Sequence, residues 1–329
     1  MELLEVLTIS SKKFLISSLL AGSILVSQSV AHAENNDDSS NNENENGKIE
    51  HKVFVQGSDL SESQIDETKD ELDVDNGYKT YTVDKNDVAK YTGGTYDFIH
   101  SSASIVPKKF QKGVDVEIKT PDNITRITKE QYTNAAITSG VQNAHIQIAS
   151  VDSVTGEGAL AGIHKAYEAE GNDLNQEDIN NANQEMEDLA QINDENKDND
   201  DYSDDAMNNA VADMKEQVAK EKQSDNDVSQ DDIDKIVNGT LKAKGLDNSL
   251  NDNQISKVNN IILNASESNA MKQDPKAYAQ QASKLKANLS GSVDKLKDKA
   301  NENKGFFASI WQAIVDFFEA IANFFKNLF

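Results

Sequence analysis

The chain has 329 residues, no cysteine and a formal net charge of −25, with a sequence pI near 4.5. A chain this acidic repels a phosphate backbone, which excludes nucleic acid as a first partner, and without cysteine there is neither a disulfide nor a lipid-anchored thiol. Only 37% of residues are hydrophobic and the mean hydropathy is −0.65, so the core is small for a length that allows one large domain or two ordinary ones.

Residues 1–33 read as a signal peptide. Lys12 and Lys13 precede the apolar run Phe14 to Val26, and Ala31-His32-Ala33 supplies a small-x-small site, so cleavage is expected after Ala33. The run is short for a membrane span. Glu2 and Glu5 sit badly ahead of such a leader and suggest a translation start further downstream. Export without disulfides suits the exterior of a Gram-positive cell, and no LPxTG-like sorting motif follows. Residues 34–47, rich in Asn, Glu and Asp, form an acidic linker that has too little apolar surface to order itself.

Residues 48–171 carry the pattern of an α/β domain. Strand runs are expected over Lys52–Gln56, Tyr78–Val83, Ser101–Val106, Val114–Lys119 and Ala144–Ser150. Leu60-Ser61-x-x-Gln64-Ile65, Val83-Asp84-x-x-Asp87-Val88 and Ile127-Thr128-x-x-Gln131-Tyr132 each set an N-cap between apolar staple positions, and the first and third are capping boxes in the strict sense. Gly93-Gly94 and Gly140 fall at expected helix ends. The turn Thr155-Gly156-Glu157-Gly158 opens a last helix that runs to about Glu170. Pro107 ends one strand, and the loop to Gly113 is expected to return it as a hairpin with the next. The order β-α-β-α-β-β-α-β-α predicts an α+β protein whose N-terminal part is a mixed sheet with helices packed on it.

Residues 172–304 read as helical. Apolar stripes recur at Ile179, Ala182, Met186 and Leu189; at Met207, Ala210, Val211, Met214 and Val218; at Ile233, Ile236, Val237 and Leu241; and at Ile255, Val258, Ile261 and Ile262. The longest comprises Tyr278, Ala282, Leu285, Leu289, Val293 and Leu296. Stripes of this kind are the core of a helical bundle. The acidic linker Asn193 to Asp205 is expected to be mobile. Gly171 to Asp234 holds 21 acids against 4 lysines, and Lys235 to Lys304 holds 7 acids against 12 lysines. Two such halves attract one another and set an orientation.

Residues 305–329 read as an aromatic amphipathic helix. Phe307, Ile310, Ile314, Phe317, Ile321, Phe324 and Leu328 repeat at 3-4 spacing, and Trp311, Phe318 and Phe325 widen the face. Asp316 and Glu319 oppose a membrane crossing. The stripe is expected to dock on a lipid surface, on its own domain or on a second copy. A basic polar face is usual at a lipid interface, and Lys326 alone supplies it here.

Motifs with known chemistry are weak. The Gly-rich turn lacks the Lys-Ser/Thr of a P-loop, and Glu157 repels a phosphate, so it reads as a close-packing turn. His100 beside Ser101 and Ser102 has no GxSxG or SxxK context. His51, His145 and His164 show no zinc-site spacing. Asp73-Val74-Asp75-Asn76-Gly77 misses the EF-hand register, which leaves only weak surface association with divalent ions. No cofactor motif is present.

The segments VEIKTPDNITRIT (Val116 to Thr128), QYTNAAITSG (Gln131 to Gly140), IQIASVDSVTGEGALAG (Ile146 to Gly162) and KAYE (Lys165 to Glu168) resemble the YpuA-like family of secreted proteins of Gram-positive Firmicutes, a domain of unknown function. YTVDKNDVAKY (Tyr81 to Tyr91) and SSASIV (Ser101 to Val106) extend the likeness over about residues 48–171. The family typically shows Ser where Gly158 stands. The resemblance implies export and no assigned catalytic or binding residue. Two functions are therefore expected to compete: a non-enzymatic protein of the cell envelope that binds or assembles, and a hydrolase of wall polymer using carboxylates that spacing does not single out.

Overall fold

A computed structural model describes residues 48–108, 113–224, 227–291 and 293, which belong to one compact unit. The signal peptide, the acidic linker and the aromatic helix read from the sequence lie outside the described residues. Among the described residues, five strands and ten helices follow in order: β1 Val53–Gly57, α1 Glu62–Glu71, β2 Lys79–Val83, α2 Lys85–Thr92, β3 Ser102–Pro107, β4 Asp115–Ile118, α3 Lys129–Thr138, β5 Ala144–Ala149 and α4 Glu157–Ala169 build the sheet part. Helices α5 Gln176–Asn196, α6 Asp204–Gln223, α7 Gln230–Lys244, α8 Asp252–Glu267, α9 Asn269–Gln273 and α10 Pro275–Asn288 complete it. The fold is α+β: a mixed five-stranded sheet with helices, then a helical region.

The sheet order is β2-β1-β3-β5-β4. β1 pairs parallel with β2 and β4 pairs parallel with β5, while the central β3 runs antiparallel to both β1 and β5. The expected β3–β4 hairpin is thus absent. β5 comes between them, with Ile105 opposite Ile146 and Ile146 opposite Val116. The apolar run of β5 explains this, because Ile146 and Ile148 are fully buried and need a neighbour on each side. The half-buried alternation of β4 suits an edge.

Alternation sends Val53 and Val55 into the main core with Ala103, Ile105, Ile146 and Ile148, under α2, α3 and α4. Phe54 points the other way and packs with Leu72 and Ala149 at the end of α1. All three expected N-caps are found, and each closes a reciprocal capping box, Asp84–Asp87 included. Gly93 takes φ 71° at the end of α2.

The helical stripes are core. Val211, Met214, Ile233, Val237, Val258 and Ile262 are fully buried in one cluster. The expected linker is shorter than the sequence implies, since α5 runs on to Asn196 and Tyr202 is buried before α6. Ile192 holds that last stretch of α5 in the helical core.

The charge split acts across the bundle. Lys257 of α8 meets Asp188 of α5 at 2.6 Å, and Lys244 of α7 meets Asp213 of α6 at 2.7 Å. Lys286 of α10 reaches both Asp213 and Glu216. Among the described residues, no helix is long and apolar enough to cross a membrane.

Helix α3 joins the two parts. Tyr132, Ala135 and Ala136 belong to the sheet-side core and Ile137 to the helical core. Every residue from Glu130 to Thr138 is buried.

Candidate functional site

The parallel strands β1, β2, β4 and β5 all end at one edge of the sheet. The turns leading into α1, α2, α3 and α4 gather there, and β3 enters from the same side. In open sheets with parallel strands, ligands favour this edge. At β1 the approach depends on Gly57. A Cβ at that position would run into the Ile99 carbonyl, so only glycine lets the segment before β3 lie across the strand end. The Ile99 amide donates to Asp59 Oδ2 at 2.8 Å, and the Asp59 amide donates back to the Ile99 carbonyl at 3.3 Å.

That segment carries Phe98 and His100. Their rings stack with centroids 4.7 Å apart and a tilt of 37°. His100 Nδ1 lies 2.8 Å from Asp152 Oδ2, with an alignment too poor for a hydrogen bond. Gln64 Nε2 donates to the same carboxylate oxygen at 3.0 Å. Ser101 and Ser102 are buried beneath, and the Ser102 hydroxyl accepts from the Gly57 amide at 3.1 Å.

The Gly-rich turn arrives at the same edge. Gly156 caps α4 at φ 118°, its carbonyl accepts from the Tyr132 hydroxyl at 2.5 Å, and a Cβ there would meet that hydroxyl. A Cβ on Gly158 would stand 3.0 Å from Ser101 Oγ. Two weak sequence features more than fifty residues apart therefore touch, and the turn serves close packing. A serine side chain at this place would lie against Ser101.

Arg126 anchors the rim. It is the chain's single arginine, and its guanidinium is bidentate to Glu187 at 2.6 and 2.8 Å, with Asp194 at 3.2 Å and Glu157 at 3.1 Å. The Glu187 contact pushes the guanidinium pKa still higher. Planar bidentate contact is what lysine, the other 31 cations, cannot supply.

A concavity lies at the β4 edge. This groove of about 340 Å³ is lined by Val114, Val116, Glu130, Asp205, Leu285 and Leu289, among others. Burial raises the Glu130 carboxyl above the ordinary carboxylate range, and burial raises its neighbour Asp204 to about 7. On the groove wall Asp115 is held by Lys108 and by Lys284 at 3.1 Å.

The deepest ionic group is structural. Lys215 is 0% and Glu185 1% exposed, and they meet at 2.5 Å. Lys215 also donates to the Thr138 hydroxyl at 2.8 Å and the Asn134 carbonyl at 3.0 Å, and Thr138 donates to Glu185 at 2.6 Å. These contacts tie α3, α5 and α6 together. Nothing in the stripe around Met214 distinguished Lys215 beforehand.

The other histidines separate. His51 joins Lys79 and Tyr81 around Glu170, at 2.8, 3.0 and 2.6 Å, and those donors hold the Glu170 carboxyl below its usual range despite burial. His145 lies 3.9 Å from Glu117 on the sheet edge. His164 is wholly buried with both ring nitrogens unpartnered, and burial lowers it to about 3. Asp75 closes a turn by accepting from the Gly77 amide at 2.7 Å. Among the described residues no three His, Asp or Glu side chains converge as a metal site. The residues expected to dock, Phe307, Ile310, Trp311, Ile314, Phe317, Phe318, Ile321, Phe324, Phe325 and Leu328, lie outside the described residues.

These features define an α+β protein with a sheet-edge site and a helical region fastened through α3. Residues 56–285 match the family described as "Protein of unknown function (DUF1002)", and the chain belongs to that family. The match runs from β1 into α10, so the family unit includes the helical region as well as the segments that first suggested it. The chain is 31% identical over 287 residues to the "Uncharacterized protein YpuA" of Bacillus subtilis (strain 168), covering 81% of this chain and 89% of that protein. No solved structure matches the chain.

Proposed function

We infer that this chain is an exported, non-enzymatic protein of the Gram-positive cell envelope that binds or assembles there through its aromatic C-terminal stripe. The observation that carries the reading is the 3-4 repeat from Phe307 to Leu328. Each large apolar side chain removed from water contributes about 1.5–3 kcal/mol, so ten repeated at this spacing require a partner. The export-type leader ahead of Ala33 supports the address. Phe and Trp suit a lipid surface, whereas the mixed charge of Asp316, Glu319 and Lys326 suits a protein surface.

Liposome co-flotation of residues 34–329 beside a chain ending at Lys304 tests it. Flotation of the longer chain alone supports an envelope-surface anchor. If neither floats and the shorter chain loses a dimer or thermal stability, the stripe is an interface between or within chains. If neither floats and the two chains are alike in assembly and stability, the reading fails.

The groove at β4 favours a second reading, a hydrolase of wall polymer. Glu130 and Asp205 line one cleft, and burial raises the Glu130 carboxyl, the direction in which a general acid is tuned. Release of soluble fragments from purified walls, abolished by Glu130→Gln, would establish that reading. No release by the parent chain would remove it.

A further inference from the structure

Among the described residues Phe98 is the one large apolar side chain left exposed, at 46%. A lone exposed phenylalanine needs no explanation, but this one is held in place. Its ring rests on His100, and its loop is pinned across β1 by Gly57 and by the Ile99–Asp59 hydrogen bonds. Polar groups flank it. Asp152 is half exposed and already orients the Gln64 amide, and Asp59 accepts from the Ser58 hydroxyl at 3.1 Å. Two residues before Asp152 in the chain, Ser150 is fully buried and its hydroxyl has no partner.

We propose that this sheet edge is a saccharide-binding platform for a neutral glycan, with Phe98 stacked against the apolar face of a pyranose ring. Sugars present C–H groups on one face and hydroxyls around the rim. An open aromatic face bordered by fixed acceptors and an amide donor complements both. The carboxylates of Asp59 and Asp152 take hydroxyl hydrogens, and the Gln64 amide serves a ring or hydroxyl oxygen. The same carboxylates repel phosphates and uronates. An ammonium group needs aromatic faces on several sides, and here one ring stands open. A pinned loop loses little freedom on binding, so a shallow site can still hold a ligand. The proposal rests on the envelope reading only for the source of the glycan.

Titration of an N-acetylglucosamine tetramer into residues 34–329, followed by NMR or calorimetry, tests it. Saturable binding is expected. Phe98→Ala should weaken it by about tenfold or more with the melting temperature unchanged, and Phe98→Trp should retain it. The chain ending at Lys304 should bind the tetramer as the longer chain does, which keeps this result separate from liposome flotation. Three outcomes overturn the proposal: no binding of the tetramer, equal binding by Phe98→Ala, or displacement by a quaternary ammonium ion.

Discussion

The sheet part and the helical region are stabilised by different means. The sheet part closes on aliphatic side chains and on glycines that let backbones touch. A Cβ on Gly162 of α4 would approach Val55 Cγ1 to 2.6 Å, and one on Gly57 would strike the Ile99 carbonyl. Its ion pairs keep one partner open to solvent, as where Lys79 meets Glu170 and Glu187 meets Arg126. The helical region carries ionised groups inside, with Lys215 and Glu185 sealed at its joint with α3. Shape therefore specifies the first part and polar pairing specifies the joint. A buried ion pair adds little net stability over apolar substitutes, but a half-broken one is strongly destabilising, so it enforces one way of docking the helices on α3.

The largest effect should come from that joint. Glu185→Ala leaves the Lys215 ammonium buried beside neutral partners, and denaturant unfolding should show a loss of about 3–5 kcal/mol. The double replacement Lys215→Met with Glu185→Leu should recover most of it. If the double variant is as unstable as the single one, packing rather than charge holds the joint. On the sheet side, Gly162→Ala forces a methyl against Val55 and should cost about 1–3 kcal/mol by the same measurement.

The pH dependence of stability separates the parts further. His164 is held near 3 in the folded chain by burial, against an ordinary value of 6.5. The unfolded chain therefore takes up its proton first. Stability is complete above about 6.5 and falls as pH drops toward 3, by up to about 1.4 kcal/mol per pH unit. His164→Phe should flatten that slope. Asp204 acts in the opposite direction. Its folded value is raised from 3.8 to about 7, so its contribution is present at low pH and lost as pH rises from about 4 through 7. Asp204→Asn should stabilise the chain at pH 8 and leave it unchanged at pH 4. The smallest effect is expected at the exposed rim, where Arg126→Lys forfeits the bidentate contact with Glu187 for about 1 kcal/mol or less.

Local signals in the sequence were strong where a rule is local. The Ser61, Asp84 and Thr128 caps start helices as their spacing implies, and the stripes from Ile179 to Val293 are core. Pairing is not local. Pro107 to Gly113 permits a hairpin, but only the two-sided burial of β5 decides that it separates β3 from β4. Helix α3 was the hardest to read, because Gln131, Thr133, Asn134 and Thr138 look solvent-facing and are buried against α5 and α6. Their partners, Asn208, Glu185 and Lys215, lie some 45 to 80 residues away. The sheet-edge site was half legible. His100 and the Gly-rich turn stood out singly, whereas Asp152 and Phe98 acquire meaning only once Gly57 brings the loop across β1.

Helix α3, buried against both cores, should make the sheet part and the helical region one cooperative unit. Native-state hydrogen exchange tests it most directly. The α3 amides from Tyr132 to Ser139 should exchange only on global unfolding, with the same free energy as Ile146 in β5 and Val211 in α6. A lower opening free energy for α6 and α7, with β5 still protected, would contradict it and make the helical region a separate unit resting on the sheet.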